Sequence, residues 1–264
     1  MRKIKEIVCI VRTNEGLCNP SSLYYDCRMN ELYICDMGNA RVVKYNCSYG
    51  KLKYLYLESS SQNELRKPLA LTMDKENRLF VTDAQRNCIF QFRNGKFMEL
   101  SADVDINLPG SIAVGSNGSI YISDFHHNRI LKWRYPNQAY GMEDIPCSQV
   151  YGIFYRFPCL YIADTGHHRI LQYNTLTKTF TVPCSGIAPI TVAVSGENTI
   201  YFSENRRLYC LGAAGRQELL LDRELWKKYN FDRLCHIGAI AVGQKNQLFF
   251  SDTIKNCIYE VILG

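Results

Sequence analysis

The sequence predicts an all-β fold, a six-bladed β-propeller in which six four-stranded sheets, or blades, form a ring. The first observation is a five-residue motif of apolar, aromatic, apolar, small and acidic residues that occurs six times. Its copies occupy residues 32–36, 79–83, 120–124, 160–164, 200–204 and 248–252. Repetition at this spacing indicates a repeat architecture. The other two observations are strand-like runs around each motif and a strand-like segment near the N-terminus.

The motif is predicted to form the second strand of each blade, and an apolar run before it the first strand. The first runs end in polar turns, as at residues 69–73 before 74–77, 112–114 before 115–118 and 240–242 before 243–246. Two apolar runs joined by a short polar turn are typical of a β-hairpin.

A third and a fourth strand are predicted after each motif. Beyond a polar loop, an alternating run follows at residues 41–45, 89–92, 129–133, 169–173 and 257–261. A weaker run comes next in most copies, at residues 52–57, 96–100, 177–182 and 217–221. Four antiparallel strands per unit, repeated radially, form a propeller blade.

The two ends of the chain complete the ring in this prediction. The sixth unit stops at Gly264 after its third strand, and residues 4–11 form a further strand outside the six units. We expect this N-terminal strand to complete the last blade, because that pairing leaves no sheet edge open. Residues 1–264 then form a single propeller domain.

Three of the copies resemble a known repeat family. The string LYIADTGHHRI at residues 160–170 resembles the NHL repeat, and residues 34–42 and 122–130 are similar to it. The resemblance implies a six-bladed propeller but no single activity. The family includes RNA-binding and protein-binding modules, and related six-bladed propellers include lyases, lactonases and condensing enzymes.

Composition argues against a membrane or secreted protein. Of the 264 residues, 47% are hydrophobic and 21% charged, which is typical of a soluble globular domain. No apolar stretch is long enough to cross a bilayer. The basic N-terminus leads into a run that contains Glu6 and Arg12, so it is predicted to be a strand and not a signal peptide. We therefore expect a cytoplasmic monomer with no membrane contact.

The twelve cysteines are predicted to be reduced. None belongs to a C-x-x-C pair, and cysteines spread singly over the blades behave as small buried apolar residues. Cys35 takes the place of the small residue of the motif, whereas Cys88 and Cys257 stand where an arginine begins the third strand in blades 1, 3 and 4. Together with the missing signal peptide, this pattern favours a reducing compartment.

The repeated acids are predicted to be structural and not catalytic. In three blades the acid precedes an arginine by five residues, in the pairs Asp36–Arg41, Asp124–Arg129 and Asp164–Arg169. An aspartate and an arginine at that separation can form a bidentate pair that holds the loop between strands two and three. A cysteine replaces the arginine after Asp83 and Asp252, so these two acids are candidates for binding a ligand.

The positions expected near the axis lack metal ligands. Alignment of the first strands places residues 20–21, 68–69, 109–110, 150–151, 189–190 and 237–238 at the entrance to the central channel, and none is a histidine or a carboxylate. Catalytic zinc or calcium requires several such ligands that converge on one point. The sequence therefore predicts no metal and no cofactor.

Farther from the axis, the loops after the second strands are rich in cations and hydrogen-bond donors. The face that carries these loops is called the upper face below. Candidate ligand-binding residues there are Arg86, Asn87, His126, His127, His167, Arg206, Arg207 and Lys255. With a net charge of +6, they predict a non-catalytic module that binds single-stranded RNA or an acidic protein or peptide segment. Alternatively, these side chains only hydrogen-bond their own turns and aid solubility.

A metal-independent enzyme is the alternative function. Two pairs of adjacent histidines lie on consecutive blades, and His168 is the one that matches the family pattern. The candidates for acid–base chemistry of the lyase or cyclase type on a small molecule or peptide are therefore His126, His127, His167 and Tyr151. The sequence contains no nucleophile elbow, phosphate-binding loop or dinucleotide-binding fingerprint. A scaffold that binds protein through its exposed sides is a third possibility.

Two longer insertions interrupt the repeat, at residues 58–67 and 222–236. In the second, Leu221, Leu225 and Tyr229 have helical spacing, which predicts a short helix over the channel. Trp226 is either the buried anchor of this helix or an exposed ligand contact, and the anchor is favoured. Loops of this length often act as lids or partner contacts.

Overall fold

The protein is a six-bladed β-propeller, as the repeat predicts. A computed structural model describes residues 4–55, 65–100, 105–135, 139–204, 206–212, 217–221 and 236–264. Six four-stranded antiparallel sheets form the ring. No helix within these ranges is long and apolar enough to cross a membrane. The predicted helix at 222–229, Trp226 and residues 58–64 lie outside the described residues.

The strands follow the chain blade by blade, after an initial strand β1 (Ile4–Val11) that belongs to the last sheet. Blade 1 consists of β2 (Pro20–Asp26), β3 (Glu31–Asp36), β4 (Arg41–Asn46) and β5 (Lys51–Leu55). Blade 2 consists of β6 (Pro68–Met73), β7 (Leu79–Asp83), β8 (Cys88–Arg93) and β9 (Lys96–Leu100). Blade 3 consists of β10 (Pro109–Val114), β11 (Ser119–Asp124), β12 (Arg129–Arg134) and β13 (Ala139–Glu143).

The remaining three blades have the same order. Blade 4 consists of β14 (Val150–Arg156), β15 (Cys159–Asp164), β16 (Arg169–Asn174) and β17 (Phe180–Ser185). Blade 5 consists of β18 (Thr191–Val194), β19 (Ile200–Glu204), β20 (Arg207–Leu211) and β21 (Gln217–Leu221). Blade 6 consists of β22 (Ile237–Val242), β23 (Gln247–Asp252), β24 (Cys257–Leu263) and β1. Single-turn 3-10 helices lie at Thr13–Glu15, Met37–Asn39, Phe125–His127 and Thr165–His167.

The first strand of each blade lies next to the axis. Each of these inner strands contacts the inner strands of both neighbouring blades, and the series closes where β22 meets β2. On the outside of blade 6, β1 runs antiparallel to β24, with Ile7 opposite Val261 and Cys9 opposite Tyr259.

The outer strands differ most from the prediction. From the sequence, no position was predicted for the fourth strand of blade 3, where β13 forms, and that of blade 4 was predicted at residues 177–182. In the structure β17 begins at Phe180, because the preceding residues form a turn. Asn174 Oδ1 accepts hydrogen bonds from the backbone N–H groups of Leu176 and Thr177, and Lys178 has a φ of 63°.

The apolar core consists of six clusters, each between two neighbouring blades. Between blades 1 and 2, for example, Val42 packs with Val81 and Phe90. The motif aromatics Phe80 and Tyr121 are each only 1% exposed. Burial of one such side chain stabilises the fold by about 1.5–3 kcal/mol. Because the clusters lie between blades, each blade needs both neighbours to bury its two faces.

The repeated acids hold the upper loops, as predicted, but not through bidentate pairs. Arg41, Arg129 and Arg169 each donate through Nε to the motif aspartate of their own blade, at 2.6, 2.6 and 2.7 Å. Their Nη2 atoms donate instead to backbone oxygens of the segment that enters the same blade, those of Gly16, Asp105 and Pro146. Each arginine thus joins the loop of its blade to the entering chain.

The second oxygen of each paired aspartate binds the main chain. Asp36, Asp124 and Asp164 accept hydrogen bonds through Oδ1 from the backbone N–H groups of Cys18, Asn107 and Ser148, at 2.6–2.8 Å. All three aspartates are 0% exposed. Each carboxylate therefore fixes the entry of its blade as well as its upper loop.

Asp83 is not free to bind a ligand, so this prediction is wrong. Its two oxygens accept hydrogen bonds from four backbone N–H groups, which belong to Arg66, Lys67, Gln85 and Arg86. The main chain compensates for the missing arginine because N–H donors stabilise a buried carboxylate.

Asp252 differs from Asp83. Its Oδ1 accepts bonds from the backbone N–H groups of His236, Ile254 and Lys255. Its buried Oδ2, the oxygen that an arginine binds in three other blades, has no hydrogen-bond partner among the described residues.

An asparagine in three upper loops fastens the next blade. Asn87, Asn128 and Asn256 have φ values of 52–57°. Each side-chain oxygen accepts a bond from the backbone N–H that precedes the next inner strand, in the pairs Asn87–Leu108, Asn128–Gln149 and Asn256–Asn19. The amide oxygen of Asn87 is therefore engaged within the ring.

The described cysteines are free thiols, and most are buried, as predicted. They are not all spread singly, however. Cys9 on β1 and Cys257 on β24 belong to one apolar cluster, and each influences the pKa of the other. The sequence did not reveal this pair because the two residues lie near opposite ends of the chain.

Replacement of Val11 by alanine should lower the free energy of unfolding by about 2 kcal/mol, because the side chain is fully buried between β1 and blade 1. Urea denaturation measures the change. Val8→Ala is the matched control on the same strand, since Val8 is 41% exposed and should change stability by less than about 0.5 kcal/mol. Equal effects would show that β1 does not contribute through the core.

Asp124→Ala should destabilise the protein by about 3 kcal/mol, because it removes the partner of Arg129 and the acceptor for the Asn107 N–H. The matched control is Asp105→Ala, whose side chain is 89% exposed and should matter by less than about 0.5 kcal/mol. Comparable denaturation midpoints for the two variants would contradict the structural role of the motif acid.

Candidate functional site

A cavity of about 650 Å³ runs along the axis of the ring. The inner strand of every blade contributes to its wall, for example through Ser21, Leu69, Ser111 and Ile153. Ligand pockets commonly have volumes of about 300–1,000 Å³. The cavity is therefore large enough for a small molecule.

The described residues that line this axial cavity carry no formal charge at neutral pH. They include no aspartate, glutamate, lysine or arginine. Their polar side chains are mostly hydroxyls, among them Ser21, Ser22, Tyr24, Thr72, Ser111, Tyr151, Tyr155, Thr191 and Thr253. Burial raises the pKa of the Tyr24 phenol, which keeps that group neutral. The rest of the wall is largely aliphatic, so the cavity offers hydrogen bonds without formal charge.

His236 lies at the upper mouth of the cavity, where the sequence predicted no histidine. It directly precedes the inner strand β22, just as Asn19 directly precedes β2, and both residues line the cavity. The sequence alignment began at residues 20 and 237, one position too late to include them. The residue before each inner strand was the signal that would have found this site.

The His236 ring is held by Thr253, which directly follows the second strand of the same blade. Its Nδ1 lies 3.0 Å from Thr253 Oγ1, and the Thr253 hydroxyl is within 3.3 Å of the His236 carbonyl oxygen. When the hydroxyl donates to that carbonyl, Nδ1–H donates to Oγ1, and Nε2 of the neutral ring is left as an acceptor.

The surroundings of His236 favour the neutral ring. Burial lowers its pKa below the usual 6.5, Asp252 opposes this shift, and Arg206 adds to it. The net shift is downward, so the imidazole is uncharged at neutral pH.

An aromatic group forms the opposite part of the upper mouth. The Tyr151 side chain is 49% exposed, and its ring lies 4.7 Å from that of Phe125. The Phe125 ring is 5.6 Å from that of His126. The structure therefore brings together two predicted candidates, His126 and Tyr151, through a phenylalanine that directly follows the motif acid of blade 3.

The other two candidate histidines contact the blade carboxylates. His127 Nδ1 lies 2.9 Å from Asp124 Oδ2, and His167 Nδ1 lies 3.0 Å from Asp164 Oδ2. Neither residue lines the axial cavity. The three histidines and the tyrosine selected from the sequence thus do not form one cluster around the cavity.

Each of the four candidate cations makes different contacts. Arg86 reaches outward to Glu99 on β9, at 2.7 Å, and lies over the Phe90 ring. Arg207 Nη1 lies 3.4 Å from the Tyr209 hydroxyl. Arg206 is close enough to His236 to affect its pKa, whereas Lys255 lies in the loop held by Asp252. None of the cations lines the cavity.

Among the described residues, no group of three or more histidine, cysteine, aspartate or glutamate side chains could hold a metal ion. The candidate site therefore consists of hydroxyls, one neutral imidazole and an aromatic rim, and it can donate and accept hydrogen bonds around an apolar centre.

Comparison with known proteins identifies the repeat. The model of the NHL repeat matches residues 107–133, which span most of blade 3 and include Asp124 and Arg129. No curated protein matches the chain by sequence.

Solved structures share the fold. Virginiamycin B lyase from Staphylococcus aureus superposes with a TM-score of 0.73 at 13% identity, covering 100% of both chains. A gluconolactonase from Xanthomonas campestris gives 0.78 at 12% identity, covering 100% of this chain and 95% of the other. A chain of the nidogen/laminin complex gives 0.69 at 15% identity, covering 84% and 85%.

At such identities the likeness concerns the fold alone. The repeat match in blade 3, the same motif in the other five blades and the ring of six sheets agree with one another. The protein is a six-bladed β-propeller that contains an NHL repeat in blade 3.

Proposed function

We propose that the protein is a binding module that takes an uncharged, ring-containing small molecule into the upper half of the axial cavity. The observation that carries this proposal is the cavity wall, which is built from all six blades and, among the described residues, holds no acidic or basic side chain other than His236. A charged ligand group would lose its hydration there without gaining an ion pair, at a large cost in free energy.

The upper mouth supports a ligand that combines a ring with a hydrogen-bond donor. Tyr151 lines the cavity and presents aromatic surface there, with Phe125 behind its ring, and an aromatic contact with a ligand contributes about 0.5–1.5 kcal/mol. His236 Nε2 supplies an acceptor on the blade 6 side. A ligand whose ring packs against Tyr151 and whose N–H or O–H group donates to His236 would use both features.

Single-stranded RNA or an acidic segment remains the competing prediction from the net charge of +6. Such a ligand would use Arg86, Arg206, Arg207 and Lys255 on the upper face. Its binding would weaken steeply with salt, since displaced counterions dominate the affinity of polyanions. A neutral ligand of the cavity would show little dependence on salt.

Two dyes with the same ring system distinguish binding in the axial cavity from binding on the basic upper face. N-phenyl-1-naphthylamine is neutral and carries one N–H, whereas 8-anilinonaphthalene-1-sulfonate adds a negative charge. We expect the neutral dye to bind at one site, at least tenfold more tightly than the sulfonate, with an affinity that is unchanged between 50 and 500 mM salt. Preference for the sulfonate, or salt-sensitive binding of poly(U) RNA, would favour the basic upper face instead. Fluorescence titration measures both dyes.

Tyr151→Ala should lower the affinity for the neutral dye about fivefold to tenfold, because it removes the aromatic ring that lines the upper mouth. Tyr49→Ala is the matched control, since Tyr49 is 78% exposed and does not line the cavity. Equal affinities of the two variants would place the dye elsewhere on the protein.

The affinity for the neutral dye should stay constant from pH 8 to 6.5 and fall on further acidification. The pKa of His236 is lowered, so the ring remains a neutral acceptor at pH values where an ordinary histidine is already half protonated. Once protonated, Nε2 becomes a donor and can no longer accept the N–H of the dye. His236→Gln should remove this pH dependence, and persistence of the dependence would assign it to another group.

Catalysis in the same cavity is a second candidate function, favoured by one observation. His236 is a neutral imidazole whose Nδ1 is fixed by Thr253, and such a ring can act as a general base. Two structures with the same fold are a lyase and a gluconolactonase. Incubation with virginiamycin B and with gluconolactone, followed by mass spectrometry, tests it. Turnover lost in His236→Gln would support an enzyme, and no turnover of either compound would count against it.

A further inference from the structure

The outer edge of blade 4 is open to a further strand. β17 is the last strand of its sheet, so its outer side has no neighbouring strand among the described residues. An edge strand of this kind presents backbone N–H and C=O groups that can hydrogen-bond to a strand of another chain. Natural sheets usually block such pairing with charged side chains, above all lysine. The residues of each outer strand therefore indicate which edges are blocked.

Among the outer strands that the structure describes, β17 is the one without a charged residue. Its sequence is FTVPCS, which contains no lysine, arginine, aspartate or glutamate. The other five outer strands each contain at least one charged residue, namely Lys51 and Lys53 in β5, Lys96 and Glu99 in β9, Glu143 in β13, Glu218 in β21, and Lys5 and Glu6 in β1. The edge of blade 4 therefore lacks this form of protection.

The exposed part of β17 is largely apolar. Phe180 is 48% exposed and Val182 is 43% exposed. Phe180 lies opposite Tyr173 on β16. Because side chains alternate between the two faces of a strand, Phe180 and Val182 lie on the same face. Pro183 follows, and its missing N–H group ends the segment that can pair. The open edge is therefore a short segment centred on Thr181.

The charge nearest to β17 in the sequence is compensated within the molecule. Lys178, in the turn before β17, places its Nζ 2.8 Å from Glu143 Oε2 and 3.1 Å from Glu143 Oε1. Glu143 is only 8% exposed, and its Oε2 also accepts a hydrogen bond from the Tyr173 hydroxyl. This carboxylate holds the Lys178 ammonium group against blade 3. The edge is therefore best matched by a strand that is itself uncharged and apolar.

We propose that β17 is a dimerisation surface, at which it pairs antiparallel with β17 of a second copy and joins two four-stranded blades into one eight-stranded sheet. When the twofold axis passes through Thr181, Phe180 of each copy lies opposite Val182 of the other. An aromatic residue opposite a β-branched residue is a favourable cross-strand pair. The same surface is used by both copies, as in most dimers, and the pairing brings no charged residues of β17 together.

Charge complementarity distinguishes β17 from the outer strand of blade 1. Antiparallel pairing of β5 about its central residue would place Lys53 opposite itself, and Lys51 and Lys53 are both exposed. Like charges directly opposite each other destabilise a sheet. The paired segment of β17 is short, and small interfaces are typical of weak and transient association. We therefore expect a dimer whose population depends on protein concentration.

Analytical ultracentrifugation of the unaltered chain tests the proposal. The protein is compared at about 2 µM and about 500 µM, a range that covers weak association. We expect the monomer mass of 30.4 kDa at the lower concentration and a reversible rise toward twice this mass at the higher one. A mass of 30.4 kDa at both concentrations would overturn the proposal and agree with the monomer predicted from the sequence.

Two substitutions at the twofold axis test the register. Thr181→Lys and Thr181→Asp each place a charge opposite itself, so each should raise the Kd of the dimer about fivefold. An equimolar mixture of the two variants should dimerise again, because opposite charges then face each other. Thr181 is exposed, so neither variant should disturb folding, and an unchanged Tm checks this.

Met98→Lys is the matched control. Met98 is the central residue of the outer strand β9 and is 49% exposed, so the same new charge on this edge should leave the Kd unaltered. An unaltered Kd in Thr181→Lys, or a mixture of the two Thr181 variants that stays monomeric, would overturn the proposal.

Discussion

The packing of each blade against the next is the interaction on which the rest of the structure depends. Six apolar clusters lie between blades, so no sheet has a core of its own. A sheet removed from the ring would expose two apolar faces. This explains why the ring must close, and why the strand β1 at the junction of the last and first blades contributes Val11 to one of these clusters.

Most of the inner three strands of the blades were predictable because burial between neighbouring blades leaves an apolar pattern in their sequences. The outer strands were predicted less well. β17 has three exposed residues in succession, so its sequence carries no apolar pattern, and its start is set by the turn at Asn174. The Asp–Arg contact was predictable from its spacing. Its single Nε bond was not, because the second guanidinium nitrogen is engaged by a backbone oxygen that sequence does not reveal.

The candidate site was largely hidden from the sequence. Its wall arises where six distant segments converge, and none of its residues belongs to a recognisable motif. The upper loops contain the histidines and arginines that the sequence predicts as ligand contacts, but His127 and His167 contact buried aspartates. The informative position was the residue before an inner strand, as His236 shows. Only the ring geometry reveals that this position points to the axis.

The backbone N–H groups that bind the motif acids allow the upper loops to differ in sequence from blade to blade. Asp83 accepts hydrogen bonds from four main-chain N–H groups, so blade 2 forms with Cys88 instead of an arginine at the start of its third strand. Every residue except proline supplies such a donor. The side chains of these loops can therefore differ between blades while the four-stranded sheet is kept. The model of the NHL repeat matches residues 107–133, and all six blades are four-stranded sheets of the same strand order.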